Sequence, residues 1–303
     1  MKKMMSSFIK MAFVLMPFSL SAQTYITPFG GITLQGVGNT EQTGTAHKRG
    51  INNEFDTDFD LHVKVKGESK STVGYTYGFT YGNMWNKSGR KLNFGFETDI
   101  FHNSASHKSK LSNPNTEEVT ILRGLNGDSV HHLVEEHYGA GHHKFENTMT
   151  MNSWNAAANL VLSYDFSTKF SVNCGLGIGF SAVTLKEAKS LQSSPAPADP
   201  GYETTKDNGG GIVNHFNSQS NASNSLMFSQ FRLGTKVQLV KNIALKIDAR
   251  TMYMGESKYV FGSTKYSDHA PTDNWTYTIN PNLIHTITLG LCVNLKSKND
   301  IDN

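Results

Sequence analysis

Seven charged residues fall at spacings that aim them to one side of their own segments: Glu97 and Asp99 in one stretch, Arg232 and Lys236 in a second, and Lys246, Asp248 and Arg250 in a third. Members of each set stand two or four positions apart. Successive side chains of a β-strand point to opposite faces, so each set shares a face. Brought together, these carboxylates and cations can pair into a buried salt-bridged network, or they can line a narrow conduction path that the charges gate. Charges taken out of bulk water must pair or cost several kcal/mol each, so pairing is the expectation.

The twelve histidines are the second candidate. Ten lie in stretches read as loops: His47, His62, His107, His131, His132, His137, His142, His143, His215 and His269. The cluster of His131 and His132 with Glu135, Glu136, His137, His142 and His143 supplies ligand types suited to zinc, copper or nickel. Its spacing matches no defined site, a solvated polar loop is the competing reading, and no metal or cofactor is assigned. Because histidine titrates at about pH 6.5, these loops can instead gain positive charge in mild acid. The acidic series Glu54, Asp56, Asp58 and Asp60 lacks the glycine and distal bidentate glutamate of a calcium loop.

The elements that must position the seven charges are strands. Val73, Tyr75, Tyr77, Phe79, Tyr81 and Trp85 hold one parity, with Gly74, Thr76, Gly78, Thr80 and Gly82 on the other. After a turn at Asn86 to Arg90, Leu92, Phe94, Phe96 and Ile100 alternate with Asn93, Gly95, Glu97 and Asp99. A second hairpin spans Met149 to Leu185. It carries Trp154, Ala156, Ala158, Leu160, Leu162, Tyr164 and Phe166 on one face, turns at Ser167 to Lys169, and returns through Phe170, Val172, Cys174, Leu176, Ile178, Phe180 and Ala182. A third runs from Ser225 to Glu256 with its turn at Lys241-Asn242. One strand remains at each end, Tyr25 to Gly36 and Leu283 to Leu295. Pro28 and Gly30-Gly31 blur the alternation of the first, whose faces stay unassigned.

Gly175, Gly177 and Gly179 lie mid-strand with no following helix, so they form an inward row of small residues rather than a phosphate loop. Cys174 and Cys292 fall on opposite faces of non-adjacent strands, which argues against a disulfide. His285 has parity opposite to Thr286 and Thr288, so it forms no catalytic pair with them, and no enzymatic activity is expected.

Residues 1–22 read as a secretory signal, with Lys2 and Lys3 before an apolar run from Phe8 to Leu20 and small residues at Ser19 to Ala22. Of the 28 basic residues three (Lys2, Lys3 and Lys10) lie in that segment, so a chain starting at Gln23 has 25 basic and 25 acidic residues. Net neutrality excludes a basic nucleic-acid binder. A mean hydropathy of -0.40 excludes a polytopic helical membrane protein.

Connections between the eight strands alternate in length. Those at Asn86 to Arg90, Ser167 to Lys169 and Lys241-Asn242 are short; those at Val37 to Ser71, Asn103 to Thr148, Lys186 to Asn224 and Ser257 to Asn282 are long. An even strand number, with both termini on the short-turn side and the long loops opposite, is the layout of an outer-membrane barrel. Aromatic residues Trp85, Tyr164, Phe166 and Phe170 near the short turns, and Trp154 and Tyr253 toward the long loops, fit two interfacial girdles.

On these patterns the chain resembles the eight-stranded outer-membrane β-barrel families, of which OmpA-type and OmpX-type membrane domains are the familiar members. The resemblance covers nearly all of residues 23–295, rests on pattern rather than a residue motif, and implies an all-β, eight-stranded antiparallel up-and-down transmembrane β-barrel with long extracellular loops. Residues 296–303 form a polar tail, where many such barrels finish on an aromatic residue, and no peptidoglycan-binding domain is expected. The implied place is a Gram-negative outer membrane. The implied partners are outer-membrane lipid, periplasmic chaperones and barrel-assembly machinery in transit, and an extracellular ligand, with no nucleic acid. A surface-binding or antigenic role follows from the loops, with a small porin-like channel as the alternative.

Overall fold

The computed structural model describes residues 23–36, 38–49, 58–85, 91–114, 117–120, 135–138, 144–194, 214–264 and 272–295. The expected signal and the polar tail lie outside the described residues. Within these residues the chain forms strands and no helix: β1 (Gln23–Gln35), β2 (Asn39–Arg49), β3 (Asp58–Ser69), β4 (Thr72–Trp85), β5 (Leu92–Ser112), β6 (Glu117–Thr120), β7 (Glu135–Tyr138), β8 (Lys144–Asp165), β9 (Phe170–Ser194), β10 (Ala222–Val240), β11 (Ile243–Met254), β12 (Ser257–Val260), β13 (Thr276–Ile279) and β14 (Asn282–Asn294).

Eight of these strands close on themselves. β1 pairs with β4, β4 with β5, β5 with β8, β8 with β9, β9 with β10, β10 with β11, β11 with β14, and β14 returns to β1, every pairing antiparallel. A ring without edges satisfies its backbone N-H and C=O groups internally, which lipid demands of any spanning structure. The barrel is inside-out. Val73, Tyr75, Phe79, Leu160, Leu176, Ile178, Leu233 and Leu289 face outward and exposed, whereas Thr76, Thr80, Glu97, Asp99, Asn159 and Gln230 are buried in the lumen. Trp154 and Tyr164 bound the apolar face of β8 and stand ten residues apart. At about 3.3 Å per residue and a tilt of about 40°, that is a belt of about 25 Å.

The strand β1, unassigned by pattern, sends Tyr25, Thr27, Thr33 and Gln35 inward and Ile26, Ile32 and Leu34 outward. The turn from β8 to β9 is held by Ser167, whose Oγ accepts the N-H groups of Lys169 at 3.2 Å and Phe170 at 3.1 Å. At the turn from β10 to β11 a bulge falls between Gln238 and Val240. Gln238 Nε2 donates there to the Val240 carbonyl at 2.6 Å.

Beyond the belt the structure departs from the expected loops. β5, β8 and β9 continue as strands of 21, 22 and 25 residues, and β2 and β3 form a hairpin that joins β5 on one side and β13 on the other. Residues 214–220 follow β9 through His215 N-H to Ser190 O at 2.8 Å. They then meet the far side of the head through Thr264 Oγ1 to His215 O at 3.2 Å. The result is a folded head above the membrane.

Its alternation runs in the opposite phase. On β8 the outward residues Trp154, Leu160 and Tyr164 are apolar in the belt, but Phe145, Met149 and Met151, of the other parity, are buried in or next to the head. The same switch moves from Leu176 and Ile178 to Val183 and Leu185 on β9, and from Phe94 to Leu111 on β5. Water outside the head makes its interior the apolar side. Phe145, Phe216, Tyr259, Phe261, Trp275 and Tyr277 fill that interior.

Two glycines make room in the lumen. A side chain at Gly179 would meet the Phe228 ring, and one at Gly177 the Asn159 amide. Gly179→Val should therefore lower the unfolding free energy of the bilayer-folded protein by about 1–3 kcal/mol, the usual cost of overpacking. Urea titration followed by tryptophan fluorescence measures it, and an unchanged midpoint would show that the lumen has slack.

Candidate functional site

The lumen charges come from two facing walls. β5 supplies Glu97 and Asp99, and the hairpin of β10 and β11 supplies Arg232, Lys246, Asp248 and Arg250. Arg232 pairs with Glu97, reaches Asp99 at 3.4 Å, and places Nε 3.9 Å from Asp248. Lys246 Nζ lies 2.9 Å from Glu97 and 3.5 Å from Asp248, while Arg250 lies 3.2 Å from Asp99. Three carboxylates thus meet three cations, all six buried.

Neutral donors complete the set. Tyr25 Oη donates to Glu97. Asp99 accepts from Thr80 Oγ1 at 2.6 Å, Asn159 Nδ2 at 2.9 Å and Gln230 Nε2 at 3.2 Å. These hydrogen bonds offset part of the cost of burying the cluster, while Arg250 Nε and Nη1 among its atoms receive no such compensation from the described residues. Parity already aimed Asn159 and Gln230 inward; Tyr25 was hidden by the blurred first strand.

Lys236 does not join the network, contrary to the sequence reading. It stands directly opposite Lys246 in the register of β10 and β11, and like charges facing one another repel. Lys246 turns to Glu97, and Lys236 is left half-buried on the wall of a vestibule at the short-turn end. That vestibule, about 460 Å³ in volume, ends on Tyr25, Glu97, Lys246 and Cys292. On the other side of the network the Arg250 guanidinium lies 4.3 Å from the centre of the Phe101 ring and 5.3 Å from that of Phe29. Phe228 packs edge-on against Phe101 at 6.5 Å. The charge network thus lies between the vestibule and a layer of aromatic rings.

A second buried chain of polar groups links barrel to head. The Gln35 amide nitrogen can only donate, so at 2.9 Å from His107 Nδ1 it requires that atom to be the acceptor. His107 Nε2 then carries the proton and donates to Tyr277 Oη at 2.8 Å; Ser109 Oγ lies 2.8 Å from the same oxygen. His107 stands in the head, fully enclosed, and burial pushes its pKa down to about 4. Burial likewise pushes the Tyr277 hydroxyl up to about 12.

The other predicted residues are placed as follows. His107 lies inside a strand rather than a loop, His62 is exposed beside Thr45 at 3.0 Å, and His215 is buried. His131, His132, His142, His143 and His269 lie outside the described residues, as do Glu54 and Asp56; of His47, His137, Asp58 and Asp60 the strand position alone is described. Among the described residues no group of three or more His, Cys, Asp or Glu is placed to hold a metal ion. Cys174 and Cys292 are free thiols, on opposite faces as parity required. His285 bonds Thr251 at 3.0 Å across β11 and β14 on the outer face, a partner that parity along one strand cannot reveal.

A closed antiparallel ring with an apolar exterior and a compensated polar lumen defines a transmembrane β-barrel of the outer-membrane type. No family model and no curated protein matches the chain. Among solved structures it is similar to the outer membrane protein OprG from Pseudomonas aeruginosa, at 12% identity over 91% of this chain and 98% of that one, with a TM-score of 0.38. It is similar also to the outer membrane protease OmpT from Escherichia coli, at 7% identity over 89% and 97% with a TM-score of 0.38. A third is Ail, the attachment invasion locus protein of Yersinia pestis, at 9% identity over 88% and 98% with a TM-score of 0.25. The barrel class rests on the ring of pairings itself.

Two outcomes follow. Arg232→Met strands three carboxylates with two cations and should cost about 3–5 kcal/mol of unfolding free energy, with partial recovery when Glu97→Gln is added. Equal stability of the single variant and the parent protein would remove Arg232 from the role of hub. For His107, the folded pKa lies below the unfolded value of 6.5, so the unfolded chain binds the extra proton between these limits. Stability contributed by neutral His107 is therefore intact above about pH 6.5 and is lost as pH falls toward 4, by about 3 kcal/mol in all. His107→Gln should flatten that slope in equilibrium unfolding measured from pH 7 to 4.

Proposed function

We propose that the protein is an outer-membrane barrel, closed to solutes, whose extracellular head is a binding surface of the adhesin or surface-antigen kind. The observation that carries this reading is the buried charge cluster and aromatic layer set across the lumen beneath a built head. Arg232 with its three carboxylates, and then Phe29, Phe101 and Phe228, occupy the path that a diffusion pore needs open. Meanwhile β5, β8 and β9 continue past the belt to hold a platform on a rigid scaffold, the usual setting for recognition. The vestibule favours the rival reading, a small channel, because it admits solute from the short-turn side as far as Glu97 and Lys246.

One pair of measurements separates the two. In planar bilayers the full chain should show no steady conductance, and a large steady current would overturn the closed-barrel reading. Cells displaying the full chain should adhere to at least one surface in a panel of immobilised glycans and matrix proteins. Replacing residues 113–143 with a short turn should abolish that adhesion while heat-modifiable migration persists. The cut spares residues 103–112 and 144–148, which are strand rather than loop.

A further inference from the structure

Four lysines on one wall of the head form no salt bridge with a described residue. Lys70, Lys108, Lys186 and Lys189 are exposed, and Lys70 alone of them lies in the field of Glu146, whose closer partner is Lys110. Their neighbours are compensated: Lys64 and Lys66 share Glu41 at 3.4 Å each, and Lys110 meets Glu146 at 2.5 Å. Away from this wall, Lys258 of β12 is paired with Glu256 at 3.5 Å. Residues 23–303 balance to zero net charge; set against the exposed Glu68 and Glu187 of the same wall, the four lysines make a local surplus of positive charge.

The backbone gathers them. Lys108 of β5 lies opposite Thr148 of β8, which lies opposite Lys189 of β9, so one row across three strands spaces the two lysines by about 10 Å. Lys70 N-H donates to Lys108 O at 2.7 Å. Lys186 and Lys189 are three positions apart and in a regular strand would face opposite ways. A bulge between Thr148 and Thr150, with Glu187 in the left-handed region at φ 53°, brings both to the outside, while Leu185 and Ala188 both point inward. Asn221 Oδ1 accepts the Glu187 N-H at 3.1 Å, and Ser220 O accepts that of Ala188 at 2.9 Å. A side chain other than glycine held at positive φ is a strained conformation that its surroundings must enforce.

Along the same strands, toward the belt, lies an aromatic row. Tyr77 of β4, His102 of β5 and Trp154 of β8 are cross-strand neighbours, with the His102 ring 5.1 Å from each of the other two. Tyr75 stacks beside Tyr77 at 6.3 Å. Rings of this kind settle at the headgroup level of a bilayer. Lys186 stands four residues beyond the row and Lys108 six, about 13 to 20 Å along tilted strands. The long lysine stems can reach back toward the interface.

We propose that this wall binds the phosphate-bearing headgroups of outer-leaflet lipid, with Lys70, Lys108, Lys186 and Lys189 on the phosphates and the row of Tyr77, His102 and Trp154 against the acyl boundary. The inference rests on the barrel's place in the membrane and is independent of the head's binding role. A soluble polyanion would use the lysines alone; the adjoining aromatic row selects a ligand that also has an apolar part.

The test uses the full chain folded in neutral detergent, with bound lipid counted by native mass spectrometry. The probe is a bisphosphorylated glucosamine-disaccharide lipid, with phosphatidylcholine as the neutral lipid and inositol hexakisphosphate as the soluble polyphosphate. The phosphorylated lipid should bind at least tenfold more tightly than either comparator. Combining Lys70→Gln, Lys108→Gln, Lys186→Gln and Lys189→Gln should weaken it at least tenfold, and Glu187→Lys should tighten it. Heat-modifiable migration certifies folding; if the fourfold variant does not fold, Lys186→Gln with Lys189→Gln carries the test and should weaken binding at least threefold. Undiminished binding by the folded variants would overturn the proposal, and so would inositol hexakisphosphate binding as tightly as the lipid.

Discussion

Arg232 touches all three lumen carboxylates from one side chain, and the geometry of the barrel makes that contact necessary. The hairpin of β10 and β11 sets Arg232 opposite Arg250 and Lys236 opposite Lys246, two like-charged pairs that would push the strands apart. Glu97 and Asp99, arriving from β5 across the lumen, convert that repulsion into a clamp between opposite walls. Asp248 can take part because its register partner is Gly234, where any side chain would strike the carboxylate. Eight strands leave an interior just wide enough for side chains, so charges there meet one another rather than water. Breaking one pair would leave an uncompensated charge in a space with little solvent to receive it.

Eight strands and their stagger fix the width that the clamp spans, and the phase of the alternation marks the height of the belt. Within the belt the apolar parity faces out; past it the same strands turn their apolar parity in. β8 shows both within one strand, with Trp154 and Leu160 on the lipid side and Phe145, Met149 and Met151 enclosed. The switch locates the membrane boundary without reference to any girdle, because it records which side of the sheet meets lipid and which meets water. It also explains how a chain of modest hydropathy can span a membrane and build an apolar core above it.

That switch separates what was legible in the sequence from what was not. The belt halves of β4, β5, β8, β9, β10, β11 and β14 could be read because one parity is continuously apolar, and the facing of Glu97, Asp99, Arg232, Lys246, Asp248 and Arg250 followed from it. The head halves of the same strands look like loops in the sequence, because outward apolar alternation ends where the outward residues become Lys108, Lys110, Lys186 and Lys189. Parity gives direction but not depth, so it groups Lys236 with a network that it stands below. β1 resisted because Gly31 and Pro28 interrupt its two faces in turn, and with it Tyr25 and Gln35 were lost, one from each buried polar cluster. Cross-strand partners such as Thr251 for His285, or Tyr277 for His107, depend on register, which no single segment encodes.

Gln35, His107 and Tyr277 show why barrel and head behave as one body. Gln35 ends the first lipid-spanning strand, His107 lies on the extension of β5, and Tyr277 belongs to a head strand far along the chain. Their hydrogen bonds are satisfied only if the imidazole is neutral and only if all three elements are in register. An apolar core tolerates small slips, because dispersion contacts are not directional; a buried donor and acceptor chain does not, because each slip leaves a polar atom without a partner. The head is thereby seated on the barrel at one rotation. The outer wall, with its bulge at Glu187 and its exposed lysines, inherits a fixed orientation relative to the barrel from that seating. A surface aimed at a planar bilayer has use for such a constraint, since lysines free to rotate away from the interface could not act together on it.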